Sequence, residues 1–467
     1  MGVDTTQQQA GSLNVVYALV VLYALCYQLQ SPLEPFLVDT LVKGEAAATY
    51  ARLVSFFSLV QMVGSMLVGF MLDRIGLRGM FAINFLACAL SYAILARATS
   101  IELLFASKLP ALFQAGFLCA QTAAAKLTAD GPERSTALGR LTSAYTIGGV
   151  VGPALGGTLG VQTSAQLAVV GSFVAIGLVW LLPTAVEHPV QSKGTAKQPA
   201  KPWQSWTQLM GSALPLVWPL LATKMASGFV NSAAGAARPL VLKEEFRFDQ
   251  SRLGAFMSAT FLCNALVGLQ LGRITTWLGG EGRTCLRCLG AMAVGYAMMA
   301  LAFERLLVGV GRLTPNGGVW VFMSLTLLLS LFQFPLATTL TSTSTSLVPS
   351  HLKGSLVGVE HATFALAGLL GPSAGVALLE SGGLAAVAAA ASAAYLALLG
   401  CWCVGRLAEG PKAAMTTTPN QGGLGAPLLA ETDGSGSHAT VAGSTSVSSE
   451  LCRRSARLAG QSPPSRG

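Results

Sequence analysis

The sequence predicts an all-α membrane protein: twelve transmembrane helices forming two pseudo-symmetric six-helix bundles. Three observations carry that expectation. Of 467 residues, 52% are apolar and only 10% charged, with a mean hydropathy of +0.59, a balance foreign to a water-soluble chain of this length. Twelve stretches approach the roughly 20 mostly apolar residues that a spanning helix needs. The two halves of the chain also repeat one another at near-constant offsets.

The stretches lie near 14–39, 49–72, 79–98, 102–128, 138–161 and 164–184, then near 213–239, 252–274, 287–304, 318–346, 355–379 and 382–405. They divide the chain into a short N-terminal segment (1–13), a first bundle (14–185), a linker (186–212), a second bundle (213–406) and a tail (407–467). The linker stretch HPVQSKGTAKQPAKPWQSWTQ is basic and carries prolines, which suits a connection between bundles. The tail is rich in Gly, Ser, Thr and Ala with few aromatics, and is expected to be disordered. No Lys or Arg precedes the first apolar run, so it reads as a retained helix and not as a removable signal.

Basic residues concentrate in the loops after segments two, four, six, eight and ten, among them Arg74, Arg78, Arg134, Arg140, Lys193, Lys197, Arg273, Arg283 and Lys353. The positive-inside rule then puts both termini in the cytoplasm, against exceptions at Lys43, Arg97, Lys243 and Arg305. The net charge of +9 is therefore a topological signal and no footprint of nucleic acid.

Shifting the first half by 219 residues lays LFQ at 112–114 on LFQ at 331–333, Gly139 on Gly358, and Gly152-Pro153 on Gly371-Pro372. A second match, GFMLDRI at 69–75 on GLQLGRI at 268–274, needs a shift of 199. A longer connection around 305–317 absorbs the difference.

Two motifs carry a family resemblance. GFMLDRIGLRG at 69–79 is similar to the G-x-L-x-D-R-x-G-R/K signature of the major facilitator superfamily. GRLTSAYTIGGVVGPALGG at 139–157 resembles that superfamily's antiporter signature, with Gly139, Gly148, Gly152, Pro153, Gly156 and Gly157 filling every place. The fourth segment and its following loop resemble the tetracycline-transporter-like, drug:proton antiporter branch, including organic-cation-transporter-like members. Lys108 departs from the arginine usual there, and Leu77 from a basic residue.

The resemblance implies the major facilitator fold and alternating access. It makes Gly69, Asp73, Arg74, Gly76 and Arg78 a gating latch, Asp73 facing the positive end of a helix from the other half. It also makes helices one, four, seven and ten the lining of a central cavity. The strip Gly148, Gly152, Gly156, reproduced by Ala367, Gly371 and Gly375, is expected to let backbones approach closely, as a sliding surface between the halves. Pro153, with Pro372 at the repeat, removes a helix hydrogen bond and permits a bend.

Polar residues inside spans are costly and usually functional. Gln30 and Glu34 share a face of segment one with Tyr27; Gln114 and Gln121 share one of segment four, with Lys108 on another; Lys224, Asn231 and Arg238 form a stripe in segment seven. With Gln333 in segment ten and Glu360 in segment eleven, these are the candidate contacts for substrate or protons. Glu34, Lys108 and Arg238 lie near a boundary and could instead snorkel, whereas Lys224 is roughly 16 Å deep. Burial favours a neutral carboxyl, so Glu34 and Glu360, the latter beside His361, are candidate proton carriers. Three basic residues against one Glu34 suit an anionic or zwitterionic solute, while the branch resemblance suggests organic cations or amphiphilic drugs.

No phosphate-binding GxxxxGK[ST] loop, HExxH or paired-carboxylate cluster occurs, so neither ATP drive nor an enzyme is expected. Cys285 and Cys288 form a CxxC without a second pair or a nearby His, and no metal or cofactor is expected. The sequence thus describes a secondary transporter of a small organic solute, with protons as the coupling ion and the bilayer as surroundings, expected to be monomeric. A family member that has lost transport and serves as a scaffold or sensor is the alternative.

Overall fold

The computed structural model describes residues 2–42, 44–128, 132–182, 211, 214–308, 315–348 and 353–409. The linker and tail lie outside the described residues, apart from 211 and 407–409, as does the packing at Gly69, Asp73, Arg74, Gly358 and His361. The first half runs α1 (Gly2–Gln28), α2 (Glu34–Leu41), α3 (Ala46–Ile75), α4 (Leu77–Leu95), α5 (Ile101–Ala106), a 3-10 helix (Leu109–Phe113), α6 (Gly116–Leu127), α7 (Pro132–Leu159) and α8 (Val161–Val179). The second runs α9 (Leu214–Glu244), α10 (Gln250–Trp277), α11 (Glu281–Val308), α12 (Pro315–Ser346) and α13 (Lys353–Glu409).

Each expected segment falls on helix, and nine stretches of the described residues are long and apolar enough to cross a membrane. One of these, Ala362–Val404, covers two expected segments. At about 1.5 Å per residue α13 is far too long for one crossing, and it is broken at Gly382 (φ −150°) and Gly383 (φ 67°). Glycine enters the second geometry without a Cβ clash. Helices α7 and α9 stand outside the nine, their hydropathy lowered by glycines and hydroxyls in one and by Lys224, Asn231 and Arg238 in the other.

Two expected spans are not single helices. Segment 14–39 breaks between α1 and α2, where Pro32 has no N–H to offer and the chain tightens to Gln30 N→Tyr27 O and Ser31 N→Gln28 O, both 3.3 Å. Segment 102–128 breaks at Ser107–Ala115 around Pro110, through the 3-10 helix. The shared face expected for Gln114 and Gln121 assumed a continuous helix, so that spacing argument fails.

One core cluster draws on first-half residues from Val16 to Leu182, another mainly on second-half residues from Leu220 to Tyr395. A third joins the halves at the end where α2 lies: Val38, Tyr50, Leu53 and Leu104 meet Leu240 and Val376. At the opposite end Val217, Leu221, Val348 and Leu356 cluster within the second half.

The glycine strips do not face the opposite half. A Cβ on Gly148 would lie 2.6 Å from that of Ala24, one on Gly152 2.7 Å from that of Gln28, and Gly156 abuts the Leu29 carbonyl. All three pack on α1, in their own half. The repeat obeys the same rule: a Cβ on Gly371 would lie 2.7 Å from that of Ser232, and Gly375 abuts Ala233, both on α9. It is the adjacent face of α7 that meets the other half. Gly149 lies against Phe261, Gly157 against Gln250, and Gly254 of α10 against the Pro153 carbonyl. The offset of 219 carries Gly149 onto Gly368, which likewise crosses to the other half at Ser58.

Gly152→Leu is therefore expected to push α7 off α1 and lower the thermal stability of the solubilised protein by roughly 1–3 kcal/mol. Gly139→Leu, at a position with nothing within 4 Å of the added Cβ, should change it by less than about 1 kcal/mol. Equal melting shifts for the two would refute this packing.

Candidate functional site

Both helix breaks of the first half lie at one place. Glu34 opens α2 and Lys108 caps the 3-10 helix, and the Lys108 ammonium donates to Glu34 Oε1 in an ion pair whose lysine and glutamate side chains are 11% and 19% exposed. The pair pins one interrupted segment to the other. The Lys108 ammonium also lies 5.4 Å from the centre of the Phe57 ring, which stacks on Tyr27 at 5.9 Å. Tyr23 donates from its hydroxyl to the Gln114 carbonyl (3.2 Å).

Within the first break, Gln30 is 4% exposed, yet neither atom of its side-chain amide has a hydrogen-bond partner. A buried amide left so costs about 1–3 kcal/mol. Gln114 turns elsewhere, donating to the Ala87 carbonyl (3.3 Å). Gln121 and Asn231 are half-buried.

The second half carries the other cluster. The Lys224 ammonium donates to Glu360 Oε2 (2.5 Å) and Thr341 Oγ1 (2.6 Å), while Ser344 donates to Glu360 Oε1. Glu360 is only 4% exposed, so both oxygens of a buried carboxylate are engaged. Thr341 and Ser344 belong to the run TTLTSTSTS that ends α12. Its hydroxyls also bond backbone carbonyls one turn back, as Thr341 does to Ala337 (3.1 Å), but two of them serve the ion pair. Removing one partner of such a buried pair costs about 3–5 kcal/mol.

Other expected residues lie apart. Gln333 accepts from the Tyr395 hydroxyl (2.9 Å) inside the second bundle. Arg238 lines a small cavity with Tyr296 and Thr326. Arg78 donates to the Trp180 carbonyl (3.0 Å) and lies over its ring, within the first half. Gly76 (φ 83°) makes the turn from α3 to α4. Glu360 changes the charge balance read from the sequence, since Lys108 and Lys224 each carry a carboxylate.

One ion pair absent from the sequence reading joins the halves. Lys243, at the end of α9, reaches Asp39 of α2 (3.0 Å) and donates to the Pro35 carbonyl (3.3 Å). The partners stand about 200 residues apart in the chain, so no local spacing could reveal them. The pair lies at the end sealed by the shared core cluster.

Comparison with known proteins agrees with this architecture. Mouse solute carrier family 22 member 18 is 27% identical over 390 residues, spanning 80% of this chain and 91% of the relative. Tetracycline resistance protein class C of Escherichia coli is 24% identical over 62% of this chain and 74% of its own. Among solved structures, the human organic anion transporter MFSD10 (TETRAN) superposes with a TM-score of 0.60 at 18% identity, covering 84% of this chain and 99% of its own. A POT family transporter in complex with a thioalcohol-conjugated peptide reaches 0.65 at 14% identity, over 89% and 100%. Residues 16–372 match the family description Major Facilitator Superfamily, and with this span, these relatives and this fold the chain belongs to that superfamily.

Proposed function

We propose that this major facilitator protein is a proton-coupled antiporter that moves a small organic solute by alternating access, with Glu360 as proton carrier. The observation that carries the reading is the buried Lys224–Glu360 pair with its hydroxyl partners Thr341 and Ser344. A basic group on the solute displaces Lys224 from the Glu360 carboxylate, and protonating Glu360 removes the charge that holds that group. Lys224 keeps the carboxylate compensated when neither is bound. Proton and solute then compete for one carboxylate, which is the linkage an exchanger requires.

The first-half cluster supplies the facing surface: the open amide of Gln30, the rings of Tyr27 and Phe57, and the Glu34–Lys108 pair. With both lysines neutralised, cavity charge no longer argues for an anionic solute. Tetracycline and organic anions, named for the relatives above, are the first compounds to test. The positive-inside pattern supports cytoplasmic termini, so the α2 end is the outer end and the Lys243–Asp39 pair belongs to an outer gate. Asp73 and Arg74 remain proposed as the inner latch. The two bundles, 14–185 and 213–406, are the bodies that rock.

In proteoliposomes offered a solute panel, Glu360→Gln is expected to abolish proton-driven uptake, while Glu360→Asp keeps it. Retention of proton-driven uptake in Glu360→Gln, or its loss in Glu360→Asp, at normal reconstitution would refute the carrier role. Glu34→Gln should leave the proton dependence in place.

Asp39 is half exposed, so its pair with Lys243 is worth about 1 kcal/mol. Asp39→Asn should therefore shift the facing equilibrium roughly fivefold toward the outward-open form. Labelling of an introduced outer-cavity cysteine by an impermeant reagent measures this; an unchanged rate would exclude the gate.

A further inference from the structure

Arg238 is the cation left over when the lysines have found their acids. Part-buried, it lines a partly open cavity of about 20 Å³ between α9, α11, α12 and the second arm of α13. Tyr296 and Thr326, each with a hydroxyl, line the same cavity and are 4% and 3% exposed. Among the described residues no hydrogen bond or ion pair reaches Arg238 or either hydroxyl. The remaining wall is apolar, with Phe322, Leu329 and Leu384, and the Tyr296 ring is held by stacking on Tyr395 at 5.8 Å.

A guanidinium residue and two hydroxyl residues thus share one space, and no carboxylate lines it. A guanidinium offers five N–H groups and accepts none, and a charge within a membrane span is costly without a partner. A water would take up a hydrogen bond or two but leave the charge uncompensated. The room within it, about 20 Å³, matches one particle of about water's dimensions.

We propose that this cavity binds a single monatomic anion of halide size, chloride in practice. Arg238 supplies the counter-charge, and the hydroxyls of Tyr296 and Thr326 complete the donor set. The apolar wall restricts the site to an ion with no further donors or acceptors to satisfy. The site is independent of the Lys224–Glu360 reading, because none of those residues lines it and its test reads stability, not flux.

The full-length protein, purified in detergent, is unfolded thermally in sodium chloride, sodium bromide or sodium gluconate at constant ionic strength. Chloride and bromide are expected to raise the midpoint saturably and gluconate to leave it unchanged, with the halide response lost in Arg238→Gln. Tyr296→Phe keeps the ring stack and should raise the half-saturating halide concentration roughly tenfold. It decides the matter if Arg238→Gln fails to fold. An equal response to gluconate, a halide response surviving in Arg238→Gln, or unaltered half-saturation in Tyr296→Phe would overturn the proposal. So would stabilisation by an organic carboxylate such as benzoate with none by halide, which would make the cavity a carboxylate subsite for the solute.

Discussion

Contact of backbone with backbone between α7 and α1 is the constraint on which much else in this protein rests. Lipid gives apolar side chains no reason to leave it, so helices associate through close fit. Gly148, Gly152 and Gly156 remove the side chains that would prevent it. Gly371 and Gly375 do the same on α9, so each half has its own copy of the joint. With α1 and α9 fixed against α7 and α13, the polar residues of α1 and α9 acquire defined surroundings.

Those surroundings are governed by charge compensation. Lys108 and Lys224 reach carboxylates from interrupted or hydroxyl-rich segments, and both pairs are substantially buried. Charges in a membrane are tolerated when they meet a partner inside the bundle, and here the partner comes each time from another helix. The hydroxyl run of α12 gains a purpose from this: Thr341 and Ser344 satisfy valences of the pair that neither charge satisfies alone.

The order of helices, the half-repeat and the identity of the polar residues were legible in the sequence because they rest on local composition and on offset. What could not be read was facing. Gln114 and Gln121 were spaced for one helix face, but Pro110 and the 3-10 helix separate them. The glycine strip was recognisable, yet its partner was not, since spacing by four defines a face without saying what lies opposite. The pairs Lys224–Glu360 and Lys243–Asp39 join residues far apart in the chain, where no periodicity acts. Even the proline breaks, visible as Pro32 and Pro110, gave no sign that one ion pair would bridge them.

The two faces of α7 have a kinematic consequence. Gly148 and Gly149 are neighbours in sequence but belong to different contacts, one with α1 and one with α10. Successive residues of an α-helix are separated by about 100° around its axis, so a roll large enough to slide one contact would drive backbone into the other. While both contacts hold, rotation of α7 about its own axis is therefore closed to it. Any displacement that keeps the glycine joint carries α1 and α7 together as one lever.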